Sequence, residues 1–165
     1  MGVPDKTDMI IKLWTLRDDP ELFVSLREDG YEIKRVMSPN ISYIYKFINE
    51  NFAPETEDSS WADEAIPSIL SGNCFICVKE NKPVGFMCCE GTAKGFVGPL
   101  GVLPEHRGHG IARALYITVA KQMLALGYKY AVAGWIHDGG LKTIGKHTDY
   151  LLAEGASEGS YKDMI

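Results

Sequence analysis

One continuous stretch constrains this chain more than any other. Ile111, Leu115, Val119, Met123 and Leu126 recur at helical spacing on one face, and Gly127 stands where a helix C-terminus favours glycine. Directly before this helix comes Arg107-Gly108-His109-Gly110, and before that an apolar run over 95–102 that reads as a strand. A strand that enters a long helix through a glycine loop leaves the first N–H groups of the helix unpaired, at the positive end of its dipole. Glycines there let a ligand lie against the backbone. The stretch therefore reads as an anion site, and a pyrophosphate fits it. Arg107, His109 and Arg113 add local positive charge to a chain whose net charge is −5.

The same strand holds Gly98-Pro99-Leu100-Gly101. Proline cannot donate to a ladder, and glycine within a strand marks a bulge or a close approach of another backbone. Upstream, 74–79 and 83–90 read as strands joined by the turn Glu80-Asn81-Lys82, and 31–37 as a strand before them. Two helices are expected in between. Ser38 and Pro39 open one, with Ile41, Ile44, Tyr45, Ile48 and Phe52 on a single stripe; Ser60 and Asp63 cap the other, which Gly72 closes. Downstream, 130–136 reads as a strand, Leu141 and Ile144 as a short helix, and 150–153 as a last strand. The first 30 residues read as an appended strand and helix. The expected fold is α+β: a single domain over 1–165 with a mixed, largely antiparallel central sheet, helices on both faces, and 1–30 as an N-terminal strand–helix extension. A chain of 165 residues buries enough surface to need no disulfide or metal.

Composition removes several classes. Apolar residues make up 45% and charged residues 24%, which is ordinary for a globular protein. No apolar run approaches the ~18 residues of a membrane helix. The start of the chain lacks a signal pattern, and Lys6 breaks the myristoylation pattern. No basic stripe suggests nucleic acid. The expectation is a cytoplasmic protein with no membrane or nucleic-acid partner. Cys74 and Cys77 form C-x-x-C, but positions three apart on a strand point to opposite faces, as do the neighbours Cys88 and Cys89. Four buried thiols and no metal are expected.

Two familiar phosphate motifs fail. A dinucleotide-binding loop needs a third glycine where Arg113 stands, and an acid about 20 residues on, where 129–133 has none. The segment from Gly140 to Lys146 matches G-x-x-x-x-G-K, but His147 replaces the hydroxyl that would hold magnesium, and only 18 residues follow.

A third pattern fits. Arg107-x-x-Gly110-x-Ala112, shortly after Val102-x-Pro104, resembles the acyl-CoA-binding motif of the GNAT superfamily of N-acetyltransferases. The resemblance covers about 31–159. It implies acetyl-CoA as co-substrate, with the pyrophosphate on Arg107, Gly108, His109, Gly110, Ile111, Ala112 and Arg113. It also implies that the strand splays from its neighbour, so that Leu100, Gly101 and Val102 offer backbone groups to the pantetheine arm and to the oxyanion. The implied reaction moves an acetyl group to a primary amine of a small molecule or peptide by direct attack in a ternary complex. Such enzymes often carry a tyrosine acid where Ile144 stands here, which leaves Tyr161 as a substitute; Asp138, just past the strand 130–136, is the first choice of base. Glu50, Glu55, Glu57, Asp58, Asp63 and Glu64 would attract a cationic acceptor. The alternative is a GNAT-like module that binds acyl-CoA without catalysis. A homodimer is compatible with either.

Overall fold

In the computed structural model, residues 2–3, 6–52 and 60–153 are described. Four strands form one antiparallel sheet in the order β2-β3-β4-β5: β2 Tyr31–Arg35, β3 Cys74–Lys79, β4 Lys82–Cys89 and β5 Val97–Val102. A second sheet of three strands has the order β6-β1-β7: β6 Tyr130–Ala133, β1 Met9–Lys12 and β7 Asp149–Leu152. Five helices complete the chain: α1 Pro20–Glu28, α2 Ile41–Asn51, α3 Trp61–Leu70, α4 Ile111–Ala125 and α5 Asp138–His147.

Strand alternation divides the interior into two cores. Cys77, Val84, Met87 and Cys89 point to the larger one, with β1, Leu26 of α1, the buried face of α4 and Ile144 of α5. Cys74, Phe86 and Cys88 point to the other, with Ile44, Phe47 and Ile48 of α2 and Ala62, Ala65 and Ile69 of α3. Helices therefore cover both faces of the four-stranded antiparallel sheet, α4 on one and α2 and α3 on the other. Among the described residues no helix is long and apolar enough to cross a membrane.

Three elements differ from expectation. The first strand is no appendage: β1 is the middle strand of its sheet, antiparallel to β6 and β7, with Met9 and Ile11 fully buried. A short apolar run reads the same at the edge or the centre, so its place came only with its partners. The strand expected over 130–136 ends at Ala133, because Trp135 takes a positive φ of 49° and turns the chain. Helix α5 begins at Asp138 and takes Gly139 and Gly140 into its first turn. N–H groups there need no intrahelical partner, and an acid suits the dipole.

The cysteines divide as alternation demands. Cys74 and Cys88 meet across β3 and β4 with sulfurs 3.5 Å apart, while Cys77 and Cys89 lie in the other core. Burial pushes the Cys77 and Cys89 thiols up to about 12 and lifts Cys88 well above its ordinary value. Thiolate is the reactive form. The folded protein at pH 8 should therefore leave all four thiols unlabelled by a maleimide, and denaturant should expose them. Prompt labelling of any one before unfolding would contradict this packing.

Candidate active site

Strands β5 and β6 touch at one point and then separate. Phe96 bridges Val132 in parallel, and the Val132 N–H donates to the Gly95 carbonyl at 2.9 Å. The local cause is a bulge. Met87 pairs with Leu100 and Cys89 with Val97, so β5 carries one extra residue opposite Cys88. Gly98 lies in that bulge at φ +103°, and a Cβ there would find nothing within 4 Å. Pro99 follows without an N–H. Beyond the bulge the Leu103 N–H donates to Val84 at 2.9 Å. Antiparallel alternation then turns the Gly101 backbone to β4 and those of Leu100 and Val102 to the gap. Odd composition in 98–101 thus leaves free backbone groups along one edge. Arg107 Nε occupies one of them, donating to the Val102 carbonyl at 3.1 Å.

The glycine loop stands at the mouth of this gap. Gly108 and Gly110 have φ of +87° and +88°, where only glycine is unstrained. Gly110 caps α4 with no side-chain hydrogen bond. The first amide in the helical ladder is Ala114, which donates to Gly110 at 3.0 Å, so the N–H groups of Ile111, Ala112 and Arg113 have no intrahelical partner. A Cβ on Gly108 would meet nothing within 4 Å, whereas one on Gly110 would lie 2.5 Å from Leu22 Cδ1. Gly108 faces open space; Gly110 is glycine also because α1 packs against it.

The side chains nearby serve different ends. His106 Nδ1 lies 2.9 Å from the Tyr31 hydroxyl, and the His109 ring is tilted against Tyr31 at 5.3 Å. Arg113 turns away from the loop. It donates to Asp19 Oδ2 at 2.6 Å and to His147 Nε2 at 3.0 Å. Since arginine only donates, the buried His147 carries its proton on Nδ1 and gives it to the Arg17 carbonyl at 2.9 Å. Asp19 also caps α1 through the Leu22 N–H. Arg113 thus ties α4 to α1 and α5, and its backbone N–H is one of those left without an intrahelical partner at the start of α4. Partners 94 and 34 residues away leave no local signal in the sequence.

Among the proton-transfer candidates, Asp138 is exposed at the start of α5, where its Oδ1 accepts the Val3 N–H at 2.8 Å. Tyr161 lies outside the described residues. Ile144 is 2% exposed and belongs to the core. Tyr116 is buried, and its hydroxyl lies 2.6 Å from Thr148 Oγ1.

On the α2–α3 side, an aromatic wall faces β5. Phe52 and Trp61 stack at 6.3 Å and 24°, and Phe52 lies 5.3 Å from Phe86. A Cβ on Gly101 would sit 2.7 Å from Phe52, so only glycine admits the ring. The acids expected here are divided. Glu50 pairs with Lys46 at 3.7 Å, Asp63 accepts the Tyr45 hydroxyl at 3.0 Å, and Glu64 accepts the Thr92 hydroxyl. Glu55, Glu57 and Asp58 lie outside the described residues.

The sequence matches the acetyltransferase (GNAT) family over residues 41–145. Curated proteins give no match. Solved structures do. The GCN5-related glucosamine N-acetyltransferase region of a fungal multi-domain GH3 beta-N-acetylglucosaminidase is 12% identical with a TM-score of 0.69, over 93% of this chain and 20% of that one. A GCN5-related N-acetyltransferase from Sphaerobacter thermophilus is 20% identical with a TM-score of 0.63, over 92% and 51%. One from Kribbella flavida is 20% identical with a TM-score of 0.56, over 94% and 60%. At these identities the likeness establishes the fold, and the chain spans between a fifth and three fifths of those proteins.

Proposed function

Given that the chain belongs to the acetyltransferase (GNAT) family, we propose that it transfers an acetyl group from acetyl-CoA to a primary amine of a small molecule or peptide. The observation that carries this reading is the pairing of the glycine loop with the gap between β5 and β6. Unpaired N–H groups at the start of α4 and the open face of Gly108 suit a pyrophosphate. The backbone groups of Leu100 and the N–H of Val102, whose carbonyl Arg107 holds, suit the amides of a pantetheine arm lying along the strand edge. The Leu100 N–H, just past the bulge, is aimed to stabilise the oxyanion of acyl transfer.

Positioning supplies most of the rate. Holding two substrates in attack geometry is worth ~7–11 kcal/mol. A thiolate leaving group, with a pKa of about 8.5, departs near neutral pH with little help. A core isoleucine at 144 is compatible with such a reaction. The test is thiol release from acetyl-CoA over a panel of 2-phenylethylamine, glucosamine and a peptide with a free α-amino group. Turnover of at least one is expected. Tight acetyl-CoA binding with no turnover on any amine would favour the non-catalytic module.

A further inference from the structure

We propose that Glu64 accepts the proton released by the acceptor's ammonium group. This rests on the acetyl-transfer reading above and names a residue that reading leaves open. The geometry begins with α3. Trp61, Glu64 and Ser68 lie three and four apart, along one edge of the helix. The buried Ser68 hydroxyl donates to the Cys89 carbonyl at 2.7 Å, which turns that edge toward β4. At one end, the Trp61 ring lies 6.3 Å from Phe86, whose partner across the ladder is Gly101. One turn along, the Glu64 carboxylate accepts from Thr92, in the loop that leads into β5. The Glu64 carbonyl is packed so closely on Gly91 that a Cβ there would collide with it. The edge of α3 therefore runs beside 97–101, and Glu64 flanks the bulge at Gly98 from the α2–α3 side. The glycine loop belongs to α4, which packs in the opposite core, so donor and acceptor would meet at the bulge from opposite faces.

The surroundings suit a base. Burial raises the Glu64 carboxyl above its usual range, and the Thr92 hydrogen bond opposes this less strongly. Among the described residues no cation pairs with it. Of the titratable groups nearby, Cys88 from β4 is held as a neutral thiol by burial, Asp63 is turned to Tyr45, and Glu90 is bound by the Gly95 N–H and the Tyr128 hydroxyl. A carboxylate short of water and lacking a cation attracts an ammonium group and holds its proton more firmly than a hydrated one. The faces of Trp61 and Phe52 favour the same cation.

R–NH3⁺ gives one proton to the Glu64 carboxylate and becomes R–NH2. The nitrogen lone pair forms the C–N bond to the acetyl carbon as the C–S bond breaks. The CoA thiolate takes the second nitrogen proton, and Glu64 later returns its own to solvent.

Glu64→Gln tests this, with the best acceptor of the three-amine panel. It keeps an acceptor for Thr92 but cannot take a proton. At pH 7, kcat should fall at least 100-fold, the low end of general-base effects. The deficit should shrink as pH approaches the pKa of the amine. Acetyl-CoA affinity by calorimetry should hold, and Tm should not fall, because an amide escapes the desolvation that opposes the partly buried charge. Thr92→Val provides a second reading: the acidic limb of kcat/KM should move to higher pH. Unchanged kcat in Glu64→Gln, a rise in KM alone, or a pH-independent deficit would overturn the inference, as would a loss that follows Asp138→Asn instead. A wild type inert toward every amine overturns the acetyl-transfer reading and this inference with it; an active wild type matched by Glu64→Gln overturns this inference alone.

Discussion

Gly108→Glu will weaken coenzyme A binding at least tenfold, which is about 1.4 kcal/mol. Gly108 offers its backbone at φ +87° beside the open start of α4, with nothing within 4 Å of where a Cβ would stand. In the proposed binding mode, a carboxylate placed there would repel the pyrophosphate and occupy its space. The fold should survive, since the left-handed conformation costs an L-residue only ~1–2 kcal/mol. Gly110→Glu is the instructive companion. Its Cβ would lie 2.5 Å from Leu22 Cδ1, so it should lose both affinity and stability. Calorimetry on the folded Gly108→Glu protein decides the matter: affinity equal to wild type would remove the loop from the binding site.

Arg113→Ala should act on stability and hardly on affinity. Two hydrogen bonds, to Asp19 and His147, vanish together. Those involving a charged partner are worth ~1.5–3 kcal/mol each when shielded. The Arg113 and Asp19 side chains are 27% and 32% exposed, so water recovers part of this. A net loss of about 2 kcal/mol is expected in denaturant unfolding, with CoA affinity changed less than threefold because the backbone N–H remains. A tenfold loss of affinity at unchanged stability would show that the guanidinium swings to the phosphates after all.

These two residues also show what a sequence discloses. The glycine loop was legible because its signals are local: glycines, a strand before them and a strong helix after them. The bulge was legible because Gly98 and Pro99 are poor strand residues wherever they occur. Arg113 looked like a phosphate ligand by the same local logic, and only the tertiary fold brings Asp19 and His147 to it. β1 was hidden for a similar reason, since its four residues say nothing of two partners more than 100 residues away. Glu64 stood among several acids with nothing to single it out. Its difference is partial burial and a hydrogen bond from Thr92, a property of how α3 lies on the sheet. Local geometry was thus readable, while the identity of the proton acceptor depended on contacts across the chain.

The most direct measurement is a crystal structure with acetyl-CoA. The account predicts the pyrophosphate on the N–H groups of 108–113, the pantetheine arm along Leu100 and Val102 between β5 and β6, and the acetyl group at the Gly98 bulge, facing Glu64. Density for the coenzyme elsewhere on the protein, or a gap left empty at saturating acetyl-CoA, would contradict it.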